Sequence, residues 1–166
     1  MSQVFISYAR STADRAQKIT EALRGLGYQV WIDDELPAHR SYTEVLKERL
    51  DAARAVVVVW SADAVKSEWV QSEADHARLE HKLVQITLDG SALPMPFDRI
   101  QCADLAGWAG EPDAPGWTKV VSSVTELVGR PPRTVQEAVE RAAAPTGAVD
   151  DPPGARHGAR WPRRPR

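Results

Sequence analysis

The sequence has one cysteine, Cys102, in 166 residues. That excludes a disulfide framework or a cysteine-rich zinc site, and it fits a reducing compartment. Long apolar runs are also missing. The longest, Ala55 to Trp60, is far too short to span a membrane. Charge of one sign is not in excess: Lys plus Arg is 21, Asp plus Glu is 23, and the net charge is −2. No specific nucleic-acid partner is therefore expected. Met1 to Ser7 has neither the basic stretch nor the cleavage pattern of a secretory leader, so a cytoplasmic location is expected. Glycine is absent between Ser7 and Ala13, where a phosphate-wrapping loop would need it. Gly25-Leu26-Gly27 closes a helical stretch instead of following a strand, so it is not a dinucleotide fingerprint. There is no Gly-x-Ser-x-Gly elbow, and Cys102 has no evident activating histidine. It reads as a packed residue of a strand.

What is present suffices for about one domain with its own core, 43% of the residues being hydrophobic. Composition shifts near Ala143. Residues 144–166 hold five prolines and five arginines against two acids, a net of +3, which leaves −5 on residues 1–143. The expected division is a folded domain over 1–130, a C-terminal helix or linker over 131–145, and a disordered Pro/Arg-rich tail over 146–166.

Strands and helices alternate along the body. Strands are expected near 3–8, 28–32, 55–60, 83–88 and 100–105. Ser11 or Thr12 can cap a first helix with Ala16, Ile19, Leu23 and Leu26 as its apolar stripe. Ser41-Tyr42-Thr43-Glu44 is a capping box opening a second, striped by Tyr42, Leu46, Leu50 and Ala53. Residues 63–81 predict one helix or two short ones, and Trp117 to Val128 a last core helix. Ala55 to Trp60 shows no alternation, which places it in the middle of a parallel sheet covered on both faces. The fold class is therefore α/β, a doubly wound parallel sheet. Ligands of such sheets bind beyond the strands' carboxyl ends. That rule selects Tyr8-Ala9-Arg10, Trp31 through Pro37, Trp60-Ser61 and Asp89-Gly90.

Few of the usual chemistries fit. A phospho-receiver needs an acidic pair after the first strand, but Asp33-Asp34 follows the second. His76 and His81 are five apart and do not share a helix face. Glu73-x-x-His76 occurs once, where di-iron bundles need two copies. No metal site is expected. One helical pair remains: Trp69 and Glu73, four apart and on one face, with Val70, Ala74 and Ala77 turned to the core. On spacing alone, a half-buried tryptophan beside a solvated glutamate is the simpler reading.

Four segments together resemble a known family. Val4-Phe5-Ile6-Ser7-Tyr8-Ala9-Arg10 is similar to the first signature of Toll/interleukin-1 receptor (TIR) domains. Gly27 through Asp33 resembles that family's second strand and the opening of its BB loop. Ala53 through Ser61 is similar to the third strand with its following serine. Ser67-x-Trp69 to Glu73 matches the αC motif, a tryptophan four residues before a glutamate. The resemblance covers about residues 3 to 129 and is to bacterial members. In the BB loop the frequent Pro-Gly pair reads Pro37-Ala38 here.

The resemblance implies a flavodoxin-like sheet of five parallel strands with helices on both faces. It also implies one of two activities. One is cleavage of NAD+ as substrate, with no cofactor, at the nicotinamide–ribose bond, activated by self-association in bacterial signalling or defence. The other is non-catalytic TIR–TIR assembly in signal transduction or as a host-directed effector. For the first, the carried-over catalytic residue is Glu73. Tyr8, Arg10, Trp69, Ser61, Trp31 and Asp33 would bind substrate, with Tyr8, Arg10 and Ser61 expected around Glu73. Asp34, Leu36, Pro37 and His39 would form the self-association loop toward other TIR domains.

Overall fold

The apolar run Ala55–Trp60 forms a strand in which every residue is buried. The computed structural model describes residues 3–32 and 41–131, all within the first of two compact units, Met1–Arg133 and Thr134–Arg166. The loop residues Asp33, Asp34, Leu36, Pro37 and His39, and the expected segments from 132 onward, lie outside the described residues. Strands β1 (Val4–Tyr8), β2 (Val30–Ile32), β3 (Ala55–Trp60), β4 (Leu83–Thr87) and β5 (Cys102–Asp104) form one parallel sheet in the order β2-β1-β3-β4-β5. β3 pairs with both β1 and β4, the central position that its lack of alternation requires.

Helices cover both faces. α1 (Ala13–Gly25) and α4 (Pro115–Val128) pack on one; α2 (Tyr42–Ala52) and α3 (Glu68–Leu79) pack on the other. Strand parity divides the side chains. Val4, Ile6, Val57 and Val59 meet α1 and α4, whereas Phe5, Val56, Val58 and Trp60 meet α2 and α3. Each fully buried valine or isoleucine contributes about 1.5–3 kcal/mol of transfer free energy. Trp60 adds a polar tie. Its Nε1 donates to Gln85 Oε1 at 3.0 Å, and Gln85 Nε2 donates to the carbonyls of Phe97 and Ile100, so this buried amide is satisfied. α4 approaches β5 so closely that a Cβ on Gly116 would overlap the Asp104 carbonyl.

Three local expectations are corrected. Residues Arg10–Thr12 form a 3-10 turn, and Thr12 Oγ1 donates back to the Ala9 carbonyl at 2.9 Å instead of capping α1. α1 stops at Gly25, so Leu26 is exposed rather than part of the apolar stripe. Tyr42 is also exposed, because it opens α2 and only Val45, Leu46 and Leu50 of that helix turn inward. The Ser41 cap is present, its Oγ accepting from the Glu44 amide at 3.4 Å.

Candidate functional site

α3 starts with two serines in series. Ser61, directly after β3, accepts from the Ala64 amide at 3.2 Å and caps a short 3-10 turn, Ala64–Lys66. Ser67 then accepts from the Val70 amide at 3.3 Å and caps α3 itself. Val70, Ala74 and Ala77 point into the sheet, as their spacing predicts. Their neighbours at i−1, Trp69, Glu73 and His76, fall on the flank facing α2.

Between the two helices runs a groove of about 270 Å³. Trp69 and Glu73 both line it, with Leu46 and Leu50 of α2 supplying apolar wall. Glu73 is only 6% exposed. The reading of a solvated glutamate therefore fails: the side chain is buried, which the spacing within α3 could not reveal. Trp69 stays 42% exposed and leans on Tyr42, ring centroids 5.5 Å apart and tilted by 37°. An aromatic pair at the mouth and a buried carboxylate inside can hold a planar ring and hydroxyl groups together.

Two other polar groups on this face of the sheet lack partners among the described residues. Ser7 Oγ and Trp31 Nε1 are buried and make no hydrogen bond among the described residues. Trp31 lies against Phe5, centroids 5.1 Å apart, two residues before Asp33 in the chain. A buried donor without a partner is costly, so such groups commonly mark a place where something else binds.

The expected surroundings of Glu73 need correction. Tyr8 packs against the α1–α4 core, on the opposite face of the sheet. Ser7, not Tyr8, has the parity that faces α3; alternation along Val4-Phe5-Ile6-Ser7-Tyr8 was the signal that could have separated them. Arg10 is exposed on the 3-10 turn. The Ser61 hydroxyl is committed to its cap. None of the three lines the groove, because Glu73 sits five residues, about 7.5 Å, below the start of α3 and away from the strand ends. At those ends Asp89 is also committed locally. Hydrogen bonds from Ser91, and then from the Ala62 amide, hold its carboxyl below the usual range. Cys102 is no nucleophile at neutral pH: burial, and then Asp104, push its thiol up to about 11.

The family model for the TIR domain matches residues 4–120. The chain belongs to the TIR-domain family. No curated protein sequence matches it. Among solved structures, this TIR domain is similar to that of the Toll-related receptor TRR-2 from Hydra magnipapillata. The TM-score is 0.65 at 14% identity, covering 75% of this chain and 98% of that one. It is similar also to a metazoan TIR-STING receptor from C. gigas solved with 2′,3′-cGAMP, at TM-score 0.61 and 21% identity. That match covers 75% of this chain and 39% of the receptor. The TIR domains of the activated Roq1 resistosome, which recognises the pathogen effector XopQ, match at TM-score 0.50 and 16% identity, over 86% of this chain and 98% of theirs. At such identities the likeness is one of fold. No helix among the described residues is long and apolar enough to cross a membrane.

Proposed function

We propose that this TIR domain is an NAD+ nucleosidase that works when assembled with other copies, in cytoplasmic signalling or defence. The observation that carries the reading is the burial of the Glu73 carboxylate in the α2–α3 groove, one helical turn from the exposed Trp69. Nicotinamide in NAD+ is a cationic pyridinium. When the bond from ribose C1′ to the ring nitrogen breaks, both electrons go to nitrogen and nicotinamide leaves neutral. No general acid is needed, unlike in most glycoside hydrolyses. What the reaction needs is an anion beside the ribose as positive charge develops there, and Glu73 supplies it while holding the ribose hydroxyls. Trp69 and Tyr42 offer aromatic faces to a cationic ring. Ser7 Oγ and Trp31 Nε1 offer further hydrogen bonds. The groove, about 270 Å³, takes a nicotinamide ribose but not a whole dinucleotide, so the adenylate half extends beyond it.

Asp34, Leu36, Pro37 and His39 are the proposed contact surface between copies. The TIR domains of Roq1 were solved in an activated resistosome, and that supports assembly as the working state. Incubating concentrated protein with NAD+ and measuring free nicotinamide tests the whole reading. Release that rises faster than linearly with protein concentration, and that Glu73→Gln abolishes, is the expected result. If concentrated wild-type protein releases none, the domain is a non-catalytic interaction module.

A further inference from the structure

At the far end of the groove from Trp69, α2 and α3 bring three metal-ligating side chains together. Asp51 lies at the end of α2, and His76 and Glu80 are one turn apart at the end of α3. His76 Nε2 is 3.1 Å from Asp51 Oδ1 and 3.5 Å from Glu80 Oε1. The three ligand atoms all lie within 4.8 Å of one another. Around a tetrahedral ion with bonds of about 2.0–2.1 Å, ligand atoms stand roughly 3.3 Å apart. These two separations bracket that edge, and the third, between the carboxylates, lies within 4.8 Å.

A second observation concerns the ring itself. His76 Nε2 is screened from solvent, yet it makes no aligned hydrogen bond to either carboxylate. It stands between the two carboxylates with no aligned hydrogen bond among the described residues. The neighbouring cation does not occupy the position either. Lys82 Nζ bonds Glu80 through the other oxygen, Oε2, at 2.7 Å, and donates to the Leu50 carbonyl at 2.8 Å. It therefore orients Glu80 and leaves Oε1 to the cluster, the part an outer-shell partner plays at metal sites. The same lysine, ahead of His76, holds the Glu80 carboxyl below its usual range.

We propose that Asp51, His76 and Glu80 bind a divalent transition-metal ion of the Zn²⁺ class, clipping the ends of α2 and α3 together. An imidazole among the ligands favours such an ion over Mg²⁺ or Ca²⁺, which prefer all-oxygen sets. Three protein ligands leave a fourth position, open to water or to a group in the groove, since Asp51 and His76 line it too. The proposal does not depend on NAD+ cleavage.

The test is metal binding by the full chain, freed of metal beforehand. Titration with Co²⁺ is followed by visible absorption, and Zn²⁺ by calorimetry. The expected result is one tight Zn²⁺ per chain, a tetrahedral Co²⁺ spectrum that Zn²⁺ displaces, and a rise in Tm. His76→Gln and Asp51→Asn should each weaken Zn²⁺ binding by more than the roughly 10–100-fold that losing an outer-shell partner costs. Far-UV circular dichroism checks that both variants fold, and Glu73→Gln should bind Zn²⁺ like wild type. Absence of stoichiometric binding overturns the proposal. So does a folded His76→Gln that binds as wild type, because the metal would then sit on His39, His81 or His157. Nicotinamide release measured with chelator present reads the nucleosidase separately, so either idea can fail alone.

Discussion

The two faces of the sheet are built from the same strands but solve the burial of polar groups differently. On the α1–α4 face polar side chains are matched. Thr20 Oγ1 donates to the Ala16 carbonyl at 2.9 Å, and Tyr28 Oη and Thr125 Oγ1 share a hydrogen bond at 2.8 Å. On the α2–α3 face Glu73 is buried beside a groove, and Ser7 Oγ and Trp31 Nε1 have no partner among the described residues. One face is finished as a core. Among the described residues the other keeps unmet hydrogen-bonding capacity, which a folded domain normally avoids unless a ligand uses it.

The sharpest way to break the contrast is at Glu73. Glu73→Gln keeps the size and removes the charge, and nicotinamide release should fall on the order of 10²-fold or more. Glu68→Gln, on the exposed start of the same helix, should leave the rate near wild type. Equal rates in all three proteins would end the catalytic reading of this face. On the other face the largest effect is on stability. Gly116→Ala drives a methyl into the Asp104 carbonyl, so urea denaturation should show a loss of about 1–3 kcal/mol. Nicotinamide release per folded molecule should not change.

A smaller pair of variants compares the faces directly. Ser7→Ala removes a buried hydroxyl that bonds nothing among the described residues, so stability should hold or rise while nicotinamide release drops. Thr20→Val removes a hydroxyl that does bond, and should cost about 0.5–1.5 kcal/mol with the rate intact. Opposite signs in thermal melts are the readout; matching signs would erase the distinction. The smallest effect is pH-dependent. Cys102 is protonated more tightly in the fold, its value raised from 9.0 to about 11. The folded chain therefore holds a proton that the unfolded chain gives up, and stability falls as pH rises from about 9 through 11. Cys102→Ala should flatten that part of the profile.

Much of this architecture was legible because strand and helix periods differ. Ala55–Trp60 announced a central strand, and Val70, Ala74 and Ala77 announced the inward side of α3. The errors arose where neighbours outside the window decided the outcome. Tyr42 fits an apolar stripe by spacing, yet it leaves the core to meet Trp69. Glu73 looks solvated by its spacing, yet it is buried. Tyr8 and Ser7 are adjacent in sequence and end on opposite sides of the sheet. His76 and Glu80 could be paired from helical spacing, but Asp51 is 25 residues away on another helix, and no local pattern joins it to them.

Lys82 gives the groove a mechanical character. It is 6% exposed, and its ammonium group holds the Leu50 and Asp51 carbonyls at the last turn of α2. That end of the helix is pinned to the root of β4. The other end, at Tyr42, meets α3 through the ring contact with Trp69. α2 is thus a lever with its pivot at Lys82 and its arm reaching the groove's mouth. A ligand wedged beside Trp69 pushes where leverage is greatest. Spin labels at Glu44 and Ala52 should report a broader distance distribution to α3 at Glu44, and equal distributions would mean that the helix moves as a block or not at all.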